Sequence, residues 1–395
     1  MSKKQILIVS GGMEIGGIER SLLGLLGEFD YDKYEVDLFL HSVGGEFLPL
    51  VDKRCNLLPE IPQCAAMTKP LKTVFGRYPL IALNRLYKRF VVQKKYGLND
   101  ASTFALLSGY WQSCVRYMPS LEKEYDAAIS FMWPHEYTAK KVKAKKKIAW
   151  IHTDYTVGKM DFARDEKTWE RFDRIAGVSD NVCMAFKKVY LSLADKLVTI
   201  ENVLSPDFVR AQARLESPSE IASDVPVILS VGRYCAAKAF ELIPQYSRIM
   251  LDKGCEHKWY IIGYGGEEEL IKNEIKKYDV ADSVIVLGKK ANPYPYMAAC
   301  DVYVQPSRYE GKAVTVREAQ ILGKPVLITD FETAQSQVEN GVDGIICPMD
   351  VQSVSAAVMQ LIDSKEMREK LARNCLERNY GNRDSLEAIY KFIES

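Results

Sequence analysis

From Gln5 onward, short apolar runs of strand length alternate with amphipathic stretches of helical period almost to the end of the chain. That alternation admits few folds. A strand followed by a helix must cross over, so neighbouring strands run parallel and both faces of the sheet are covered. The strand-like runs fall into two series. Ile6–Val9, Val36–Leu40, Ala127–Phe131, Ile148–Ile151 and Arg174–Val178 make the first, and Val225–Val231, Trp259–Ile262, Ser283–Leu287, Val302–Val304, Val326–Thr329 and Gly344–Ile346 the second. Between them lie the turn-rich Asn202-Val203-Leu204-Ser205-Pro206 and polar sequence to Ser223. At 395 residues the chain is long for one core and comfortable for two. The expectation is therefore α/β, with two doubly wound, Rossmann-like domains over 1–205 and 206–380. Such sheets bind ligands beyond the carboxyl ends of their strands, which puts the expected site in a cleft between two such edges.

Charge and cysteine content remove several classes. The net charge is +1, so no global field argues for nucleic acid. Nine cysteines without a Cys-x-x-Cys pair read as reduced, mostly buried thiols rather than a disulfide framework or a zinc site. Met1-Ser2-Lys3-Lys4 runs straight into a strand, and no apolar run approaches membrane-spanning length. A cytoplasmic protein is expected, any membrane contact being peripheral, on the inner face.

Three loops carry chemistry. The first strand ends in Ser10-Gly11-Gly12-Met13-Glu14-Ile15-Gly16-Gly17, where paired glycines let the backbone approach a ligand before a helix; a plain tight turn explains them equally well. Gly232-Arg233-Tyr234 closes the first strand of the second series, with Lys238 five residues after Arg233. A guanidinium fork and a mobile ammonium together suit a diphosphate, against the blander reading of two solvated cations. The third stretch, Pro306 to Glu318, holds Glu310 in a loop and Glu318 in what reads as the first turn of a helix ended by Gly323 and Pro325. Each acid alone is explained as surface charge or a first-turn acid. Together, beside Gly311 and a helix N-terminus, they suit hydroxyls and phosphate of a sugar nucleotide. The dinucleotide fingerprint fails, since Glu268 stands where Gly263-Tyr264-Gly265 needs its third glycine, and this disfavours an oxidoreductase.

Asn292-Pro293-Tyr294-Pro295-Tyr296-Met297, Tyr309-Glu310-Gly311, Glu318-Ala319 and Leu322-Gly323-Lys324-Pro325-Val326 resemble the signature of retaining GT-B glycosyltransferases of family four. Gly232-Arg233 with Lys238, Gly263-Tyr264-Gly265 and Gly16-Gly17-Ile18-Glu19 match that pattern in order, so the likeness spans essentially the whole chain. It implies a GT-B fold, two Rossmann-like domains facing across a cleft, with 381–395 a helix returning to the first domain. By the resemblance, Glu318 holds the ribose hydroxyls, Glu310 the donor sugar, and Arg233 and Lys238 the diphosphate. Gly17 and the amides around Lys312, Ala313, Val314 and Thr315 meet sugar and phosphate, and Gly16 and Gly263 belong to the same nucleotide-sugar site. Lys312-Ala313 departs from the Phe-Gly commoner in the family. Trp150-Ile151-His152 is similar to the family segment whose His lies near the anomeric carbon, at a strand's carboxyl end; His41, His135 and His257 are taken as structural.

The implied reaction moves a hexose from a nucleotide diphosphate, uridine by resemblance, to a saccharide or lipid-linked acceptor, with retained configuration and with His152, Glu310, Arg233 and Lys238 as catalytic residues. A sugar-nucleotide epimerase, an inverting transferase or a non-catalytic relative are the alternatives. No cofactor or metal is expected, because protein cations serve the phosphates; Asp30-Tyr31-Asp32 is read as a solvated turn rather than a metal motif. Finally, 69–96 holds Lys69, Lys72, Arg77, Arg85, Lys88, Arg89, Lys94 and Lys95 and no acid, interleaved with Phe75, Leu83, Leu86, Tyr87, Phe90 and Val91. Either this helix lies on an anionic membrane, with Lys140–Lys147 adding charge, or it packs its apolar face on its own domain.

Overall fold

The computed structural model describes residues 3–97, 100–153, 155–156, 161–221, 223–310 and 313–395. It divides into two compact units, Met1–Leu204 with Asn382–Ser395, and Ser205–Gly381.

Unit 1 is a seven-stranded sheet of β1 (Lys4–Ser10), β2 (Tyr34–Leu40), β3 (Asn56–Leu57), β4 (Glu124–Ser130), β5 (Lys143–Ile151), β6 (Arg174–Gly177) and β7 (Leu197–Thr199), in the order β3-β2-β1-β4-β5-β6-β7. Every pair is parallel. The final helix, Arg383–Glu394, is part of this unit. Tyr390 stacks on Tyr34 at 5.0 Å between ring centroids, and its hydroxyl oxygen accepts from the Asp30 amide at 2.7 Å. Lys146 donates to the Phe392 carbonyl at 3.0 Å.

Unit 2 repeats the plan with six strands, β8 (Val227–Arg233), β9 (Lys258–Tyr264), β10 (Val284–Gly288), β11 (Val302–Gln305), β12 (Val326–Thr329) and β13 (Ile345–Cys347), in the order β10-β9-β8-β11-β12-β13. Its core joins Ile228, Trp259, Ile261, Val302, Val304 and Leu327 of the sheet to helices such as Ile243–Asp252 and Val351–Asp363. Near-continuous burial along the central strands β8, β11 and β12 is what parallel sheets covered on both faces require.

Two features differ from the sequence expectation. The passage after Leu204 is a helix, Pro206–Ala213: Ser205 caps it by accepting from the Phe208 amide at 3.3 Å, and Pro206 takes the first position, where a missing N–H costs nothing. The short strands β3 and β7 were absent from the expectation because two or three residues leave no period to read.

Candidate active site

In both units the strand order reverses beside the first strand, between β1 and β4 and between β8 and β11. Crossovers leave in opposite directions there, so the loops leaving the strand ends open a crevice. In unit 2 Arg233 is the last residue of β8, Lys238 lies in the loop that follows it, and Glu310 in the loop after β11. Topology therefore explains why residues 72 positions apart meet: Lys238 Nζ donates to Glu310 Oε1. Both side chains are largely buried, 17% and 12% exposed.

The pair is held from both sides. Lys238 sits in a turn closed by its amide on the Cys235 carbonyl at 2.9 Å, and Ala239 follows in a left-handed conformation at φ 55°. Alanine there costs about 1–2 kcal/mol, a strain placed beside the cation it orients. The lysine stem crosses Gly232, where an added Cβ would meet Lys238 Cε at 3.3 Å. Arg308 ties this turn to the β11 loop, its amide donating to the Ala237 carbonyl at 2.8 Å. On the acid side, Tyr303 and Thr315 donate to Gln305 Oε1 at 3.0 and 3.3 Å. Gln305 Nε2 donates to Ser307 Oγ at 3.0 Å, and Ser307 donates to Glu310 Oε1 at 2.6 Å. Thr333 donates to the Glu310 carbonyl at 2.9 Å. Each donor in this chain has an acceptor, so the carboxylate is fixed rather than merely present. Gln305 and Ser307 were not among the expected site residues. The readable signal was a fully buried Gln ending the otherwise apolar Val-Tyr-Val-Gln strand.

Glu318 needs a correction. The helix begins at Val314 and has no acid in its first turn, so Glu318 is its fifth residue, beyond the four unpaired amides. Its side chain is 1% exposed, and Tyr294 donates its hydroxyl to Oε1 at 2.7 Å. A tyrosine from the neighbouring helix Tyr294–Ala299, not the dipole, orients this carboxylate. Ala313 is corrected as well: its amide is already taken by Gln337 Oε1 at 2.9 Å, which leaves Val314 and Thr315 as the amides at the helix mouth. Gly311 and Lys312 lie outside the described residues.

Arg233 ends β8 exposed, and among the described residues its side chain makes no ion pair or hydrogen bond. Gly263 pairs with Gly232 on the neighbouring strand. At φ 154° an added Cβ would stand 1.8 Å from the Gly232 carbonyl oxygen, so Gly263 is needed for close approach of the two strand ends and sets where Arg233 emerges.

Unit 1 places its own expected residues at strand ends. Gly16 precedes the helix Gly17–Glu28 as its cap, and a Cβ on it would fall 2.1 Å from Glu19 Oε2, the carboxylate folded back over the cap. A Cβ at Gly17 would meet nothing within 4 Å. His152, just past β5, has Nε2 2.8 Å from the Phe131 carbonyl. A carbonyl only accepts, so Nε2 carries the proton and Nδ1 is a bare acceptor, buried and without a partner. Burial pushes its pKa down to about 4, so the ring is neutral near pH 7. His257 has a structural role, bonded to Ser247 and to the Cys255 carbonyl, both at 2.9 Å. Asp30 accepts from the amides of Asp32 and Lys33 at 3.1 and 3.2 Å, the geometry of a turn. All nine cysteines are free.

Residues 212–378 match the family model described as glycosyl transferases group 1. The chain is 27% identical over 154 residues to the alpha-D-kanosaminyltransferase of Streptomyces kanamyceticus, covering 38% of this chain and 40% of that one. It is 21% identical over 330 residues to the poly(ribitol-phosphate) alpha-N-acetylglucosaminyltransferase of Staphylococcus aureus, covering 80% of this chain and 65% of that one. The aligned segments thus span less than two thirds of these relatives. Among solved structures, Anabaena HepE in complex with UDP and glucose superposes with a TM-score of 0.66 at 16% identity, covering 99% of this chain and 100% of that one. The two sheets and this likeness give the chain the GT-B fold.

Proposed function

We propose that the protein, whose residues 212–378 match the model of the glycosyl transferases group 1, transfers a hexose from a UDP-sugar to a saccharide or lipid-linked acceptor in cell-surface polysaccharide or glycolipid synthesis. Relatives acting on poly(ribitol-phosphate) and in lipopolysaccharide core biosynthesis, and a neighbour holding UDP and glucose, support the donor and acceptor classes. The observation that carries the reading is the wired Lys238–Glu310 pair, with Glu318 held by Tyr294 in the same unit.

In the proposed mechanism Glu318 receives the ribose hydroxyls and Glu310 the hydroxyls of the donor sugar. Arg233, Lys238 and the amides of Val314 and Thr315 receive the diphosphate. As the glycosidic bond lengthens, the sugar becomes oxocarbenium-like and charge grows on the β-phosphate, where fixed cations and amides stabilise it. The departing phosphate oxygen takes the acceptor's proton on the same face, which retains configuration. Lys238 must share its ammonium between Glu310 and the phosphate, so donor binding and sugar positioning are coupled. Gly16, Gly17 and His152 are assigned to sugar and phosphate on the family resemblance; the free Nδ1 of His152 is able to accept from a hydroxyl. Protein cations serve the phosphates in this scheme, without a metal.

A thermal-shift panel of nucleotide sugars tests the reading. A UDP-hexose at a hundred times its Kd stabilises by about 2.7 kcal/mol, and Glu318→Ala abolishes the shift. A panel in which no UDP-sugar shifts the wild type overturns the donor assignment. Anomeric configuration of the product, read by NMR, tests retention.

A further inference from the structure

The segment formed by the helices Leu71–Arg77 and Pro79–Tyr96 has two apolar faces. Val74, Ile81, Ala82 and Val92 point inward and are buried, the first three packed in the core with Leu7, Val9 and Phe39. Arg85 also points inward, donating to the carbonyls of Ala66 and Lys69 at 2.6 and 2.8 Å. This inner set anchors the helix and leaves a second set outside. Phe75, Leu80, Leu83, Leu86, Tyr87 and Phe90 are between 45% and 64% exposed. They are six of the sixteen large apolar side chains exposed among the described residues. Leu80, Leu83, Tyr87 and Phe90 follow a three-four spacing that puts them along one stripe. Single exposed apolar residues need no explanation; a contiguous run marks a contact surface.

Charge identifies the occupant. No acid lies between Glu60 and Asp100. Lys69 is paired with Glu60 at 3.2 Å, Lys88 is half-buried and Arg85 is spent on carbonyls, so the outer flank is left with Lys72, Arg77, Arg89, Lys94 and Lys95, all exposed. A second copy seated on this face would set basic flank against basic flank, since a two-fold contact pairs a patch with itself. An anionic bilayer satisfies both features, taking the apolar stripe at the acyl boundary and the cations at lipid phosphates. An 18-residue helix is about 27 Å long and lies in the interface plane; no helix among the described residues is long and apolar enough to cross a membrane. In the second basic run three lysines already have partners within unit 1. Lys145 pairs with Asp126 at 2.7 Å, Lys146 bonds the C-terminal helix, and Lys147 bonds the Ala139 carbonyl at 3.3 Å.

We propose that the outer face of Leu71–Tyr96 seats the protein on an anionic lipid surface, with Leu80, Leu83, Tyr87 and Phe90 inserted; this deepens, and rests on, the lipid-side reading of the acceptor. Flotation of the full chain with phosphatidylcholine vesicles, with and without phosphatidylglycerol, tests it. The chain co-floats with phosphatidylglycerol vesicles at low salt and is released as salt screens the cations. Lys94→Gln with Lys95→Gln weakens partition about 25-fold, at about five-fold per cation. Leu83→Ser with Phe90→Ser weakens it by about ten-fold or more. These side chains are exposed, and an unchanged melting temperature verifies that the variants fold. UDP-induced stabilisation, measured alongside, separates the two proposals: if it persists without flotation, the lipid seat alone is overturned. Equal binding to pure phosphatidylcholine overturns the anionic part. Self-association that the same variants abolish, without vesicle binding, makes a second copy the occupant and overturns it too.

Discussion

Lys238 and Glu310 make two separable predictions, because each is a partner in the resting fold and a proposed contact in the reaction. Lys238→Met leaves a carboxylate that is 12% exposed with the Ser307 hydroxyl as its remaining side-chain donor among the described residues. Removing one partner of a fully buried pair costs about 3–5 kcal/mol. Residual exposure and the surviving hydroxyl reduce this to roughly 1–3 kcal/mol. Glu310→Gln strands the ammonium at a similar cost. The double variant leaves no uncompensated charge, so its stability returns to within about 1 kcal/mol of wild type and the cycle yields a coupling of at least that size. Urea unfolding without donor reads these values. Turnover behaves differently: Lys238→Met lowers it by roughly 10²–10³, as loss of one transition-state donor does, and the double variant does not recover. Stability rescued without activity is the expected signature. Wild-type turnover in Lys238→Met, or single-variant stabilities that simply add, would refute the reasoning.

Glu136 is fully buried with neither carboxylate oxygen bonded, and burial, with the Asp165 charge adding to it, pushes its pKa up to about 8. The folded state therefore holds a proton that the unfolded chain, with a value near 4.5, releases. The ionisation penalty is absent below pH 4.5, and stability falls as pH rises from there through 8. Glu136→Gln removes that loss, gaining on the order of 3 kcal/mol at pH 7 and nothing at pH 4 in urea titrations; an equal gain at both pH values contradicts the assignment. Tyr294→Phe removes the donor to Glu318 while keeping the ring against Phe208. UDP affinity falls about ten-fold with little change in the ligand-free melting temperature, and an unchanged UDP titration would show that Tyr294 does not position the acid.

Eleven of the thirteen strands were legible because a strand buried on both faces of a parallel sheet leaves an apolar run, which the two- and three-residue edge strands β3 and β7 do not. All eleven strand-like runs of the sequence fall on strands of the two sheets. Strand order was legible only by class. Yet that order brings Lys238 and Glu310 together, since β8 and β11 are neighbours although β9 and β10 intervene in sequence. The sequence pointed to both charges as ligands for a diphosphate and a sugar. Their bonding to each other depends on side-chain reach across two loops, which no local period encodes. The same holds for Tyr294 and Glu318, and for the Gln337 side chain that occupies the Ala313 amide.

The segment 69–96 shows a different limit. A helical period reports that apolar side chains share a stripe, but a helix with apolar residues on two stripes gives no ground for choosing which one the domain buries. Val91 is half-buried, whereas Phe75, Leu83, Leu86, Tyr87 and Phe90 of the same expected face are exposed. The choice is made by neighbours distant in sequence. Ile81 and Ala82 find a core already built from Leu7, Val9 and Phe39, and Arg85 finds two carbonyls that would otherwise lie unpaired beneath the helix. Burying the smaller side chains with a satisfied guanidinium leaves the leucyl and aromatic residues outside. On water-facing terms alone that is the less favourable assignment, because the larger apolar area is the one left wet. It is intelligible if the exposed stripe has a second medium to enter, and the cations beside it indicate which one.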